Sequence, residues 1–84
     1  MARVTVTPEA ASQFAALPRP IQTRIVQLFD RLRQWPRASG VKPLRGSLSG
    51  RYRLRTGDYR VRFRVVGDEV RIEKIGHRDQ FYGD

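Results

Sequence analysis

The stretch Arg51–Val65, RYRLRTGDYRVRFRV, decides most of what this chain can fold into. Its side chains alternate with period two on either side of Gly57-Asp58. It therefore reads as two strands joined by a two-residue turn, with glycine first as a type II′ hairpin prefers. The turn sets the register. Thr56 opposes Tyr59, Leu54 opposes Val61 and Tyr52 opposes Phe63, which makes one apolar face. The other face opposes Arg55 with Arg60, Arg53 with Arg62 and Arg51 with Arg64. A three-residue turn would set Arg55 against Tyr59 and mix the faces.

A second turn of the same kind, Gly67-Asp68, leads into a third strand, Glu69–Ile75. Uninterrupted pairing predicts Glu73 beside Arg62, Arg71 beside Arg64 and Ile75 opposite Arg60. One carboxylate, Glu73, then faces seven arginines: 51, 53, 55, 60, 62, 64 and 71. Like charges directly opposite on a sheet are unfavourable by up to about 1 kcal/mol per pair, so three such pairs cost on the order of 1–3 kcal/mol before screening. Small domains are stable by only about 5–15 kcal/mol. A polyanionic partner would turn that penalty into binding energy. Cations with few aromatics suit backbone phosphates better than stacked bases. The ordinary alternative is a solvated face with splayed side chains, and GC-rich coding also favours arginine. Only Lys42 and Lys74 of the 17 basic residues are lysine, and the formal net charge is +9.

Upstream, Arg3–Val6 alternates as a short first strand. Thr7 is placed to cap a helix that Pro8 and Glu9 open, with Ala10, Phe14 and Leu17 on one side. A second helix begins at Pro20, with Ile21, Ile25, Leu28, Phe29, Leu32 and Trp35 on one stripe and Arg24, Gln27, Arg31 and Gln34 away from it; Pro36 ends it. Phe29 and Trp35 read as core. The following segment, PRASGVKPLRGSLSG, reads as a loop. The 84 residues fit one domain, 1–84. There is no cysteine, which excludes disulfides and thiolate chemistry. No apolar run approaches a membrane span, so a cytoplasmic protein without membrane contact is expected. One histidine and scattered carboxylates show no metal-ligand spacing, so neither metal nor other cofactor is expected.

The chain closes with IGHRDQFY. Continued pairing brings His77 and Arg78 beside the Gly57-Asp58 turn, near Arg55 and Arg60, with Tyr82 folded back over the same edge. RNA is cut without metal when its 2′-hydroxyl attacks the adjacent phosphate. The site must take that proton, neutralise the phosphorane-like charge and protonate the leaving oxygen. Arginine supplies only the middle role, whereas histidine titrates near neutrality.

Strand, two helices, KPLRG (Lys42–Gly46), YRLRTGDYRVRF (Tyr52–Phe63) and the terminal IGHRDQFY together resemble the RelE/ParE superfamily of bacterial type II toxins, over nearly the whole chain. The resemblance implies an α+β fold, βααβββ, with a helical hairpin packed on one face of a small antiparallel sheet. It implies a cognate antitoxin, with an acidic or amphipathic segment, that blocks the site; operator DNA would be met only through that complex. The RelE branch cleaves mRNA in the ribosomal A site without metal, and the ParE branch poisons DNA gyrase without nuclease chemistry. Carried onto this sequence, an ungapped match puts Arg51 and Arg53 where the RelE pattern has two basic residues, usually lysine. Arg60 opens the next strand, Arg78 is the basic residue after Gly76-His77, and Tyr82 is the late tyrosine. Arginine cannot easily serve as the base, so that role falls to His77 or Tyr82. The catalytic set is thus Arg53, Arg60, His77, Arg78 and Tyr82. Arg51, Arg55, Arg62, Arg64, Arg71, Lys42 and Arg45 are the expected contacts to mRNA and ribosomal RNA. A gyrase poison and a non-toxic nucleic-acid-binding domain are the alternatives.

Overall fold

The computed structural model describes residues 1–81. Tyr82 therefore lies outside the described residues. The chain forms β1 (Arg3–Val6), α1 (Pro8–Ala15), α2 (Arg19–Leu32), β2 (Lys42–Pro43), β3 (Arg51–Thr56), β4 (Tyr59–Val66) and β5 (Glu69–His77). Short 3-10 turns occupy Gly46–Leu48 and Arg78–Gln80. The sheet order is β1-β5-β4-β3-β2. Among the described residues no helix is long and apolar enough to cross a membrane.

The α+β class stands, with both helices on one face of the sheet. The sheet is mixed rather than wholly antiparallel, because β1 pairs with β5 in parallel. The helical hairpin carries the chain from β1 across the face. The four strands that follow alternate direction, and the last comes to lie beside β1 running the same way. β2 sits inside the expected loop and pairs Lys42 with Arg53 and Pro43 with Tyr52. Two residues are too few to show an alternating pattern, so nothing in the sequence marks it.

Each helix starts where its breakers stand. The Thr7 side chain accepts the Ala10 N–H at 3.2 Å, and Pro8 fills the first helical position. α2 opens after Pro18, one residue before the sequence suggests. Its Ile25, Leu28 and Leu32 are buried against Leu54, Val61, Phe63, Val70, Ile72 and Ile75 of the sheet. Trp35 lies beyond the helix and packs edge-on to Tyr52 (5.0 Å between ring centroids) and Phe63 (5.7 Å), as a core residue. Burial of this apolar face is what holds the helices to the sheet.

The β3–β4 register is the one the turn dictates: Arg51 opposite Arg64, Arg53 opposite Arg62 and Arg55 opposite Arg60. Gly57 adopts φ +58°, the left-handed value the first turn position needs. The β4–β5 register departs from uninterrupted pairing. A bulge lies on β5: Phe63 faces Ile72, but Arg62 faces Lys74, leaving Glu73 as the extra residue. Ile75 consequently opposes Val61 rather than Arg60. The reason is burial. Unbroken alternation would turn Ile75 onto the arginine face, whereas the bulge returns it to the core, where it is 1% exposed.

Candidate nucleic-acid interface

The arginine face divides into two ends. At the far end, the bulge sets the Glu73 carboxylate among arginines. It accepts from Arg51 Nε at 2.7 Å and lies 3.7 Å from Arg64 Nε and 4.0 Å from Arg62 Nε. Its side chain is only 17% exposed. Glu69 is a second carboxylate on this face, so the expectation of one is corrected. It receives the Thr5 hydroxyl at 2.6 Å and Arg71 Nε at 3.1 Å. The alternation Glu69, Arg71, Glu73 carried that signal.

The Arg71 hydrogen bond, then that of Thr5, holds the Glu69 carboxyl below its usual pKa. A depressed carboxylate contributes stability above its unfolded pKa and loses it as the pH falls through the lower folded value. Glu69→Gln should therefore melt below wild type at neutral pH, and the gap should close in acid below about pH 4.5. Thermal melts of both proteins from neutral to strongly acid pH check this; a constant gap would mean that charge is not what Glu69 contributes.

At the near end, by the Gly57-Asp58 turn, Arg60 opposes Arg55 on one side and Gly76 on the other. Its Nη1 is buried with no hydrogen-bond partner among the described residues. Burial first, then Arg53, Arg55 and Arg78, pushes its pKa below the usual arginine value; Asp58 opposes this as the smallest contribution. Arg78 is fixed here because its backbone N–H donates to the Asp58 carbonyl at 2.7 Å, with its Nε 4.0 Å from the Asp58 carboxylate. Arg53, Arg55, Arg60 and Arg78 thus act on one another at a place that disfavours cations and favours a bound anion.

His77 is not on this face. The bulge shifts alternation by one residue, so His77 pairs with Tyr59 on the helix-covered side. The two rings meet edge-on at 5.5 Å. Both line a cleft with Gln13, Leu17 and Pro18. The His77 Nδ1 accepts the Asp79 N–H at 3.2 Å. The expected gathering of histidine with arginines is corrected for that reason. Lys74, which sequence reasoning passed over, takes a place on the arginine face beside Arg62. Its Nζ donates to the Gln80 carbonyl and stands 4.5 Å from the centroid of Phe81. Phe81 is 5% exposed, and the Gln80 side chain fills the room that Gly76 leaves; a Cβ on Gly76 would collide with the Gln80 Oε1 and lie 3.7 Å from the Phe81 ring. Lys42 lies opposite Arg53 at the sheet edge, and Arg45 is exposed in the loop beyond.

The family model for the ParE toxin of the type II toxin-antitoxin system parDE matches residues 4–82. The chain belongs to this toxin family. The solved toxin-antitoxin complex RelBE2 of Mycobacterium tuberculosis contains a chain 31% identical to the toxin; the match covers 92% of this chain and 98% of that one, with a TM-score of 0.81. The RelE-RelB complex of Pyrococcus horikoshii is 28% identical over 92% and 94% of the two chains, with a TM-score of 0.74. The isolated E. coli RelE toxin is only 16% identical over 92% and 84%, with a TM-score of 0.78, and shows the shared fold. No protein of curated function gives a significant match. The RelE/ParE resemblance read from the motifs is therefore borne out at the level of the superfamily.

Proposed function

We propose that the toxin is a ribosome-dependent mRNA endoribonuclease that cleaves by attack of a 2′-hydroxyl on the adjacent phosphate. The carrying observation is Arg60, a half-buried arginine whose Nη1 is enclosed with its donor unused among the described residues, pressed by Arg53, Arg55 and Arg78. A phosphate there relieves all four. Arg53 and Arg55 hold the scissile phosphate, while Arg60 and Arg78 stabilise the charge that grows on its oxygens in the transition state. Proton transfer needs a titrating group. His77 lies behind the sheet, and Lys74, beside Arg62 on this face, takes that role by releasing the Gln80 carbonyl to which its Nζ donates. The antitoxins bound to the M. tuberculosis and P. horikoshii relatives support a cognate antitoxin here, with carboxylates that meet the arginine face.

One observation favours a second reading, a gyrase poison: the matching family model is the ParE one. Inducing the toxin alone in bacteria separates the two. The nuclease reading gives arrested protein synthesis and new mRNA ends at ribosomal A-site codons. The gyrase reading gives a DNA damage response while translation continues. Harmless induction would reject both in favour of a simple nucleic-acid-binding domain.

A further inference from the structure

We propose that the cleft at the free edge of β3 is a second phosphate site, in which Arg31 and Lys42 supply charge, the Arg55 backbone supplies an N–H donor, and the occupant is the phosphodiester next to the one being cut. The cleft, of about 270 Å³, is lined by Arg31, Gly40, Lys42, Arg53, Leu54 and Arg55, with no acidic residue among them. β2 pairs only with Tyr52 and Arg53, so Leu54, Arg55 and Thr56 have no strand neighbour on that side among the described residues.

The ladder says which backbone groups face the cleft. Across a two-residue turn Thr56 and Tyr59 exchange hydrogen bonds, and the pattern then alternates along β3. Arg55 accordingly points its N–H and C=O away from β4. Arg51, in phase with it, does the same: its carbonyl accepts the Leu44 N–H at 2.9 Å.

α2 frames this edge with two arginines that lie two turns apart. Arg31 Nη1 reaches the Ser39 carbonyl at 3.4 Å and lies 3.5 Å from the place a Cβ on Gly40 would take. Gly40 has φ +79°, so glycine both permits the bend and keeps the cleft open. Arg24 Nη1 stands 3.7 Å from the corresponding place on Gly57. Lys42 lies directly opposite Arg53, a further like-charge pair.

Several cations around one outward amide suit a single anionic group. On this free edge only Arg55 turns both backbone groups outward, so an added strand of a protein partner would gain just its two hydrogen bonds. The cleft adjoins Arg53 and Arg55, so a strand whose scissile phosphate sits at Arg60 leads its next phosphate here. The inference rests on the nuclease reading for the nature of the strand, single-stranded RNA, and its test reads binding rather than cleavage.

The test compares wild type, the double variant Arg31→Gln/Lys42→Gln, and Arg19→Gln/Arg37→Gln, which loses the same charge elsewhere. A short fluorescent single-stranded RNA is titrated at several salt concentrations, with thermal melts of each protein. The cleft variant should bind about tenfold more weakly at low salt, and its log K against log salt slope should fall by about 0.7, the amount for one phosphate of a single strand. The control should keep the wild-type slope. In wild type the Gly40 and Lys42 amide resonances, which line the cleft but not the scissile-phosphate cluster, should shift on adding RNA together with that of Arg55, which decides the matter even if the double variant does not fold. Equal losses in cleft and control variants, an unchanged slope, or silent Gly40 and Lys42 amides would each overturn the site. So would weakened antitoxin binding with RNA affinity and slope intact, which would give the cleft to a protein partner. Failure of the nuclease reading shows separately, as intact mRNA on ribosomes beside an RNA-binding slope that still responds to the cleft.

Discussion

Replacing Arg60 by glutamine should lower single-turnover cleavage of ribosome-bound mRNA by about 10²–10³, the usual effect of removing one donor aimed at transition-state charge. Glutamine keeps a hydrogen-bond donor but no charge, so the loss isolates the electrostatic contribution. The fold should not suffer. Arg60 sits against burial and three like charges, and its Nη1 satisfies no acceptor among the described residues. Removing a cation crowded by three like charges, with Asp58 only a small offset, preserves or raises the melting temperature. A large fall in melting temperature would mean that Arg60 serves the sheet rather than a ligand. Unchanged cleavage in a well-folded variant would remove it from the site.

Lys74 and His77 divide the second prediction. Lys74→Gln should slow cleavage by about 10²–10⁴, the range for loss of a general acid or base. His77→Gln should leave it within a few-fold of wild type, because His77 packs on Tyr59 behind the sheet. Ribosome affinity should change little in either, since the arginines carry the phosphate contacts. The reverse outcome, with His77 essential and Lys74 dispensable, would show that the end of β5 turns over when the toxin meets its substrate. Equal rates in all three proteins would move the proton step to a residue outside the described chain, with Tyr82 the first to test.

The hairpin was legible because two constraints agree in it. A glycine-first turn fixes the register, and alternation fixes the faces; together they give Arg51 opposite Arg64, Arg53 opposite Arg62 and Arg55 opposite Arg60. The helices were legible from Thr7, Pro8, Pro18 and the Ile25, Leu28, Leu32 stripe. The bulge at Glu73 was the point of failure, and everything beyond it inherited the error. Its sign was present: Val70, Ile72 and Ile75 cannot share a face of an unbroken strand, and a core that needs all three must absorb one residue. That one residue moved His77 off the arginine face, put Lys74 onto it and gave Glu73 three arginines within 4.0 Å. The β3-edge cleft was not legible, because it depends on where Arg31 of α2 meets Gly40 of the following loop, a contact no local pattern encodes.

The central claim is that the arginine cluster around Arg60 serves 2′-hydroxyl attack on ribosome-bound mRNA. The most direct measurement uses purified toxin and ribosomes programmed with two messages, one all-RNA and one carrying a single 2′-deoxynucleotide on the 5′ side of the cut. The account predicts that the all-RNA message is cut to leave a 2′,3′-cyclic phosphate, and that the substituted message stays whole while still binding. Equal cleavage of both messages, or no cleavage of either while DNA gyrase is inhibited by the same preparation, would contradict it.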